Sequence, residues 1–314
     1  MKILCGTDFS EPAKEAAEVA AAMAARLMVP LHLIHCAADW LVPADLPAGH
    51  YLDADSRQSL ATESLRLTRP GLAITTELCY GNASHHLVAA ATPDVCFVLV
   101  GSTGKGAVQR LILGSVADQV AQTCDVPVLI VKEAQPLLDW LLKRTNLCVL
   151  CAAELIQSSD AALAFTRQLS RMGETNLEIG HIIPMDMLLI QAAGWINTPD
   201  ADGPGALEEV VSLKRDMAEQ SRRALGIIPQ AVHVRESLGN PAYEFLSLAH
   251  ERRADLIVLG SHHRHGIDRI IHPSFSRRIL SHATTNVLCV PVGQSRPCRE
   301  APPGDSQEQV TATA

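Results

Sequence analysis

The chain has 314 residues, 47% hydrophobic and 19% charged, enough for two domains of ordinary size with their own cores. Aromatic residues make up only 4% and the formal charge is −8, a balance that argues against an aromatic nucleic-acid platform and against a surface that attracts DNA or anionic lipid. A soluble globular protein with no nucleic-acid and no membrane partner is expected.

The opening MKILCGTDFSEP has three apolar residues in a row and reaches Asp8 at once, so it reads as neither a secretory leader nor a transit peptide. No apolar run approaches the roughly 18 residues of a membrane helix. A first strand is expected near 2–7, then a helix near 11–28 with Ser10, Glu11 and Pro12 as start signals and an alanine-rich body. Strands near 30–36, 73–79, 95–100 and 127–132 alternate with helices near 54–68, 83–91 and 113–123. Later in the chain the alternation returns, with strands near 147–152, 176–183, 231–236, 255–260 and 287–292 and helices near 159–171, 206–224, 241–252 and 274–283. Near-continuous Val/Ile/Leu strands between helices predict an α/β fold with a doubly wound parallel sheet in each half.

The two halves repeat each other. MKILCGTDFS corresponds to LCVLCAAELI, so that Cys5 matches Cys151 and Asp8 falls on Glu154. LCYGNASHHLVAAA is echoed by SLGNPAYEFLSLAH, with Asn82 and Asn240 as helix N-caps. GSTGKGAVQRLILGSVADQV aligns without a gap on GSHHRHGIDRIIHPSFSRRI, and CDVPVLIVK on TNVLCVPVG. Four correspondences in one order indicate a tandem duplication, with domains at 1–135 and 145–293 and a polar tail, 294–314, expected to be disordered. Strand 5 of each copy is a pairing edge, within the chain or between chains. Insertions at 37–53 and 184–204 follow strand 2 of each copy; their Trp40 and Trp195 either pack the sheet edge or cover a ligand.

Nine cysteines are scattered without a framework. Cys5, Cys36, Cys96, Cys148, Cys151 and Cys289 fall in apolar strand runs and read as small buried hydrophobes of a reducing, cytoplasmic protein. Cys148 and Cys151 are three apart, so a strand points them to opposite faces and they do not converge.

The run GSTGKGAVQRLILGS follows strand 4. It matches neither a Walker A loop, because Lys105 precedes Gly106, nor the dinucleotide fingerprint, which follows a first strand. Its glycines either bring bare backbone N–H groups close to phosphate oxygens or serve a turn for steric reasons. Gly104 and Gly106 lack the Cβ that blocks approach; Gly114 and Ser115 open a helix whose positive end suits an anion; Lys105 and Arg110 add charge.

With ILCGTDFSEPAKEA, LHLIH in strand 2 and DVPVLIV at the end, this glycine spacing resembles the universal stress protein family, and the resemblance covers both halves. It implies two Rossmann-like five-stranded domains in tandem and an ATP-binding-type first copy. Carried over residue by residue, it implies that Gly6 and Asp8 approach the base, ribose or metal and that the end of strand 2 around Cys36 meets adenine. Gly101, Gly104, Lys105 and Gly106 would wrap the ribose and phosphates, with Gly114 and Ser115 at the distal phosphates. ATP, ADP or AMP, with magnesium, is the implied ligand.

In the second copy Gly104 becomes His263, Gly106 becomes His265, Gly114 becomes Pro273, and only Gly260 and Ser274 remain. A degenerate second site is expected, since side chains and a proline replace bare N–H donors. His262, His263, His265 and His272 are a candidate zinc set or, with Arg264 and Arg269, an anion set, against the plainer reading of exposed loop histidines. No Ser-His-Asp, Cys-His or paired-carboxylate arrangement is legible. Three readings follow: a cytoplasmic stress-response protein using nucleotide-dependent homodimerisation or partner binding; a slow ATP hydrolase or phosphoryl or adenylyl transferase; and a nucleotide-free scaffold.

Overall fold

The computed structural model describes residues 1–37, 50–104, 113–152, 157–184, 229–237, 239–261 and 273–291, together with 212, 215, 216 and 219. The first copy runs β1 (Lys2–Gly6), α1 (Glu11–Leu27), β2 (Leu31–Ala37), α2 (His50–Arg66), β3 (Ile74–Tyr80), α3 (Ala83–Ala90), β4 (Val95–Gly101), α4 (Ser115–Thr123) and β5 (Val128–Val131). After α5 (Ala134–Leu141) come β6 (Leu147–Ala152), α6 (Gln157–Met172), β7 (Thr175–Pro184), β8 (Ala231–Ser237), α7 (Pro241–Glu251), β9 (Leu256–Ser261), α8 (Pro273–His282) and β10 (Asn286–Pro291).

Local chemistry explains several boundaries. Ser10 caps α1 by accepting from the Ala13 N–H, Pro12 stands in the first turn, and Met28 ends the helix in the left-handed region. Asn82 caps α3 through the His85 N–H and Asn240 caps α7 through the Ala242 N–H, as the repeated Gly-Asn pair predicts. Small residues on α1, among them Ala16, Ala17, Ala20 and Ala24, are fully buried and let the helix lie close on the strands.

All ten strands form one sheet in the order β3-β2-β1-β4-β5-β10-β9-β6-β7-β8. Every pairing is parallel except β5 with β10, which run antiparallel with Ile130 opposite Val287 and Val128 opposite Cys289. The strand-5 edges expected to pair thus pair with each other inside the chain. Helices α1, α2, α5 and α6 cover one face through Leu60, Trp140 and Phe165; α3, α4, α7 and α8 cover the other through Leu87, Val120, Phe245 and Ile279.

The residues between the copies, left without an expected element, contain α5, whose Leu137 and Trp140 are buried in the core. Eight residues are too short to show helical periodicity, and Pro136 in the first turn masks the signal. Of the cysteines read as buried, Cys36 and Cys148 are only partly so, while Cys5, Cys96, Cys151 and Cys289 are buried. Cys151 belongs to the face that α6 covers and Cys148 stands on the opposite face, so the two thiols do not converge. Trp40, Trp195 and the 294–314 tail lie outside the described residues, and of the expected 206–224 helix only 212, 215, 216 and 219 are described, all helical.

Candidate functional site

β1 and β4 are neighbours, yet the chain leaving β1 enters α1 on one face and the chain leaving β4 enters α4 on the other. Such a divergence opens a crevice at the carboxyl ends of the two strands, where ligands of open α/β sheets bind.

The β1 exit is tightly built. Thr7 donates its N–H to the Ile34 carbonyl at 2.9 Å, and its Oγ1 accepts from the Phe9 N–H at 3.1 Å. Phe9 has φ 63, a left-handed conformation a bulky residue rarely takes. Its ring lies 4.4 Å from that of His35, whose Nδ1 is 2.8 Å from the Thr7 carbonyl oxygen. Asp8 Oδ1 accepts from the Ser10 N–H at 3.0 Å and from Ser10 Oγ at 2.5 Å. The carboxylate is therefore fixed between β1 and the capped start of α1.

The β4 exit meets it. A Cβ on Gly104 would stand 2.9 Å from Asp8 Oδ2, so the bare glycine lets the carboxylate approach the backbone. Gly114 donates its N–H to the Ser102 carbonyl at 2.8 Å and lies against Thr103 and Gly104. It is also the N-cap of α4 and supplies no side-chain hydrogen bond to the helix end that Ser115 begins. Asp8, Gly104, Gly114 and Ser115 thus gather at one place: an acceptor on one side, a positive helix end on the other.

The other glycines have different surroundings. A Cβ on Gly101 would come within 2.7 Å of the Pro12 carbonyl group and 2.9 Å of the Ala13 nitrogen, and one on Gly6 within 2.7 Å of Leu87 Cδ1. Packing alone accounts for both. Gly101→Ala is expected to lose roughly 1–3 kcal/mol of stability without any ligand, because α1 backbone cannot yield as a flexible side chain does. Gly104→Ala meets only a carboxylate and should change the denaturation midpoint far less; equal losses in urea unfolding would contradict this division.

Cys36 lies two positions beyond Ile34, the β2 partner of Gly6, past the end of the β1/β2 pairing. Sequence reasoning did not single out Ser102 and Thr103, which are buried between β4 and α4, nor His35 behind the Asp8 turn; a Ser-Thr pair between two glycines was the available signal. Lys105, Gly106, His262, His263, His265 and His272 lie outside the described residues, among which no group of three or more His, Cys, Asp or Glu side chains stands together to hold a metal.

The family model described as Universal stress protein family matches residues 1–132 and 148–291. A universal stress protein of Mycolicibacterium smegmatis is 27% identical over 305 residues, 92% of this chain and 96% of that one. Among solved structures, a universal stress protein from Archaeoglobus fulgidus covers 93% of this chain and 98% of its own at 20% identity, with a TM-score of 0.66. A universal stress protein solved in complex with cAMP is 18% identical across 47% of this chain and 98% of that one, with a TM-score of 0.31. With one complete match on each side of α5 and a single sheet running through both, the chain belongs to the universal stress protein family as a member carrying two domains in tandem.

Proposed function

We propose that the first copy binds an adenine nucleotide, ATP in its working form, and that the chain is a cytoplasmic stress-response protein whose contacts with a protein partner depend on that nucleotide. The observation that carries this reading is the meeting of Asp8, Gly104 and the α4 N-terminus at the β1/β4 crevice. Asp8 suits ribose hydroxyl donors, and the open backbone N–H end of α4, beginning at Ser115, suits phosphate oxygens. Magnesium would ride on the phosphates and water, as this hard ion prefers, rather than in a protein cage. The second copy, with Pro273 at the first position of α8 where the first copy has its Gly114 cap, is the degenerate partner.

Because β5 and β10 occupy each other, a second copy of the chain would dock elsewhere. Among the described residues no helix is long and apolar enough to cross a membrane.

Equilibrium dialysis against labelled ATP is expected to give one nucleotide per chain. Asp8→Asn keeps an acceptor for Ser10 but loses the charge, and should weaken binding about 10–100-fold, the usual worth of a hydrogen bond to a charged group. No retention at millimolar ATP would sink the proposal. Repeated turnover of ATP abolished by Asp8→Asn would make the protein an enzyme instead of a nucleotide-dependent binder.

A further inference from the structure

β2 and β3 form one margin of the sheet, and their register sets Cys36 beside Cys79. In-register partners on parallel neighbours point to the same face, and both Cys36 and Cys79 pack against the same apolar cluster on that face. Adjacent strands lie about 4.8 Å apart, within the Cα separations a disulfide spans. Both cysteines are free; Cys36 is partly exposed near the end of β2, while Cys79 is buried with Ile34 and Leu87. Cys79 donates its S–H to Glu77 Oε1 at 3.3 Å, and the other Glu77 oxygen is 2.9 Å from His32 Nε2. The His32 hydrogen bond, followed by that from Cys79, holds the Glu77 carboxyl below its usual range, so it stands ionised beside the thiol. Neither β7 nor β8, the matching strands of the second copy, contains a cysteine.

From this juxtaposition we infer that Cys36 and Cys79 form a redox-active dithiol site that closes into a cross-strand disulfide, with low-molecular-weight disulfides as its oxidant. Cys36 Sγ attacks one sulfur of the small disulfide, forming a mixed disulfide and releasing one small thiol. Cys79 Sγ then attacks the Cys36 sulfur, its proton passing by way of Glu77 Oε1 to the departing small thiolate, which leaves as the second small thiol. Two electrons go from the protein to the small disulfide; two S–H bonds are lost on the protein and two are gained on the released thiols. Because β3 is an edge strand, it can shift to admit the bond. A bridge between neighbouring strands carries strain and is readily reduced, which makes the couple reversible. Desolvation keeps both thiols protonated, Cys36 pushed up to about 12, so exchange runs over hours rather than seconds. Cys36 also stands at the end of β2 expected to meet adenine, so oxidation is read on protein free of added nucleotide.

The test uses reduced full-length protein incubated with oxidised glutathione, quenched in acid, alkylated and mapped by mass spectrometry. The expected product has lost two hydrogens, carries one new crosslink, Cys36 to Cys79, and returns to the dithiol with excess reductant. Cys79→Ala should stop at a stable glutathione adduct on Cys36, which the wild type does not retain. The wild-type map stands alone should that variant fail to fold. Absence of the Cys36–Cys79 crosslink, or stable glutathione adducts on both residues of the wild type, would overturn the inference.

Discussion

Replacing Asn286 with leucine is expected to destabilise the protein by about 4 kcal/mol or more and to separate the unfolding of the two copies. Asn286 is 1% exposed and makes all of its hydrogen bonds to backbone at the seam. Its Oδ1 accepts from the N–H groups of Lys132 at 2.9 Å and Glu133 at 3.1 Å, and its Nδ2 donates to the carbonyls of Glu133 at 2.9 Å and Asp255 at 3.0 Å. Leucine matches the shape but leaves two donors and two acceptors behind it, each costing about 1–3 kcal/mol where water cannot replace the partner. Hydration recovers part of that at the exposed Glu133 and less at Lys132 and Asp255, which are half-buried. Urea unfolding followed by fluorescence and by circular dichroism should give coincident curves for the wild type and two displaced transitions for Asn286→Leu. Asn146→Ala, which removes one exposed amide contact to Asn176 at 3.3 Å, serves as the control and should stay within about 0.5 kcal/mol. A leucine variant as stable as this control would show that the seam does not depend on the amide.

Why the strands were legible while the seam was not follows from what each depends on. The central strands are short apolar runs with turn residues beside them, and helix starts carry their caps in sequence, as at Ser10, Asn82 and Asn240. Beside the β5–β10 ladder, the seam uses Asn286 reaching residues more than 150 positions away, and a single buried asparagine has no periodic signature. The duplication announced the strand-5 edges but left open whether they meet within or between chains. At the candidate site, spacing alone could not separate glycines that face a crevice from glycines that face a helix. Gly101 and Gly104 look alike in the sequence, yet one abuts the α1 backbone and the other a carboxylate. Recurrence helped: Gly101 returns as Gly260, whereas Gly104 and Gly114 do not return, in keeping with a packing role for the first alone.

Alkaline pH is expected to unfold the protein well before its peptide chemistry suffers, because its core holds thiols that cannot ionise in place. Desolvation pushes the fully buried Cys151 and Cys289 up to about 12 and raises Cys5 further, with Glu63 adding to the last. Unfolded thiols ionise near the ordinary value of about 8.5–9. Folded pKa values above unfolded ones mean that this contribution is complete below about pH 9 and is lost as pH rises toward 12. Each such thiol removes about 1.4 kcal/mol per pH unit in that window, so three remove roughly 8 kcal/mol by pH 11. Lys132 acts in the opposite sense. Its amine donates to the carbonyls of Leu280 and Ala283 at the end of α8, and desolvation lowers it to about 8. The unfolded chain therefore binds the extra proton between about pH 8 and 10.5, and stability from this group rises by roughly 3 kcal/mol across that range. The net loss of about 5 kcal/mol is comparable to the whole stability of many domains. Chemical denaturation at intervals from pH 7 to 11 should show a small rise between about pH 8 and 9, from Lys132, and a steep fall beyond it. In Cys289→Ala the fall should be shallower by about 1.4 kcal/mol per unit, and in Lys132→Met it should begin sooner, because the compensating rise is gone. Parallel curves for wild type and Cys289→Ala above pH 9 would mean that the thiol ionises within the folded chain and that the core admits water beside β10.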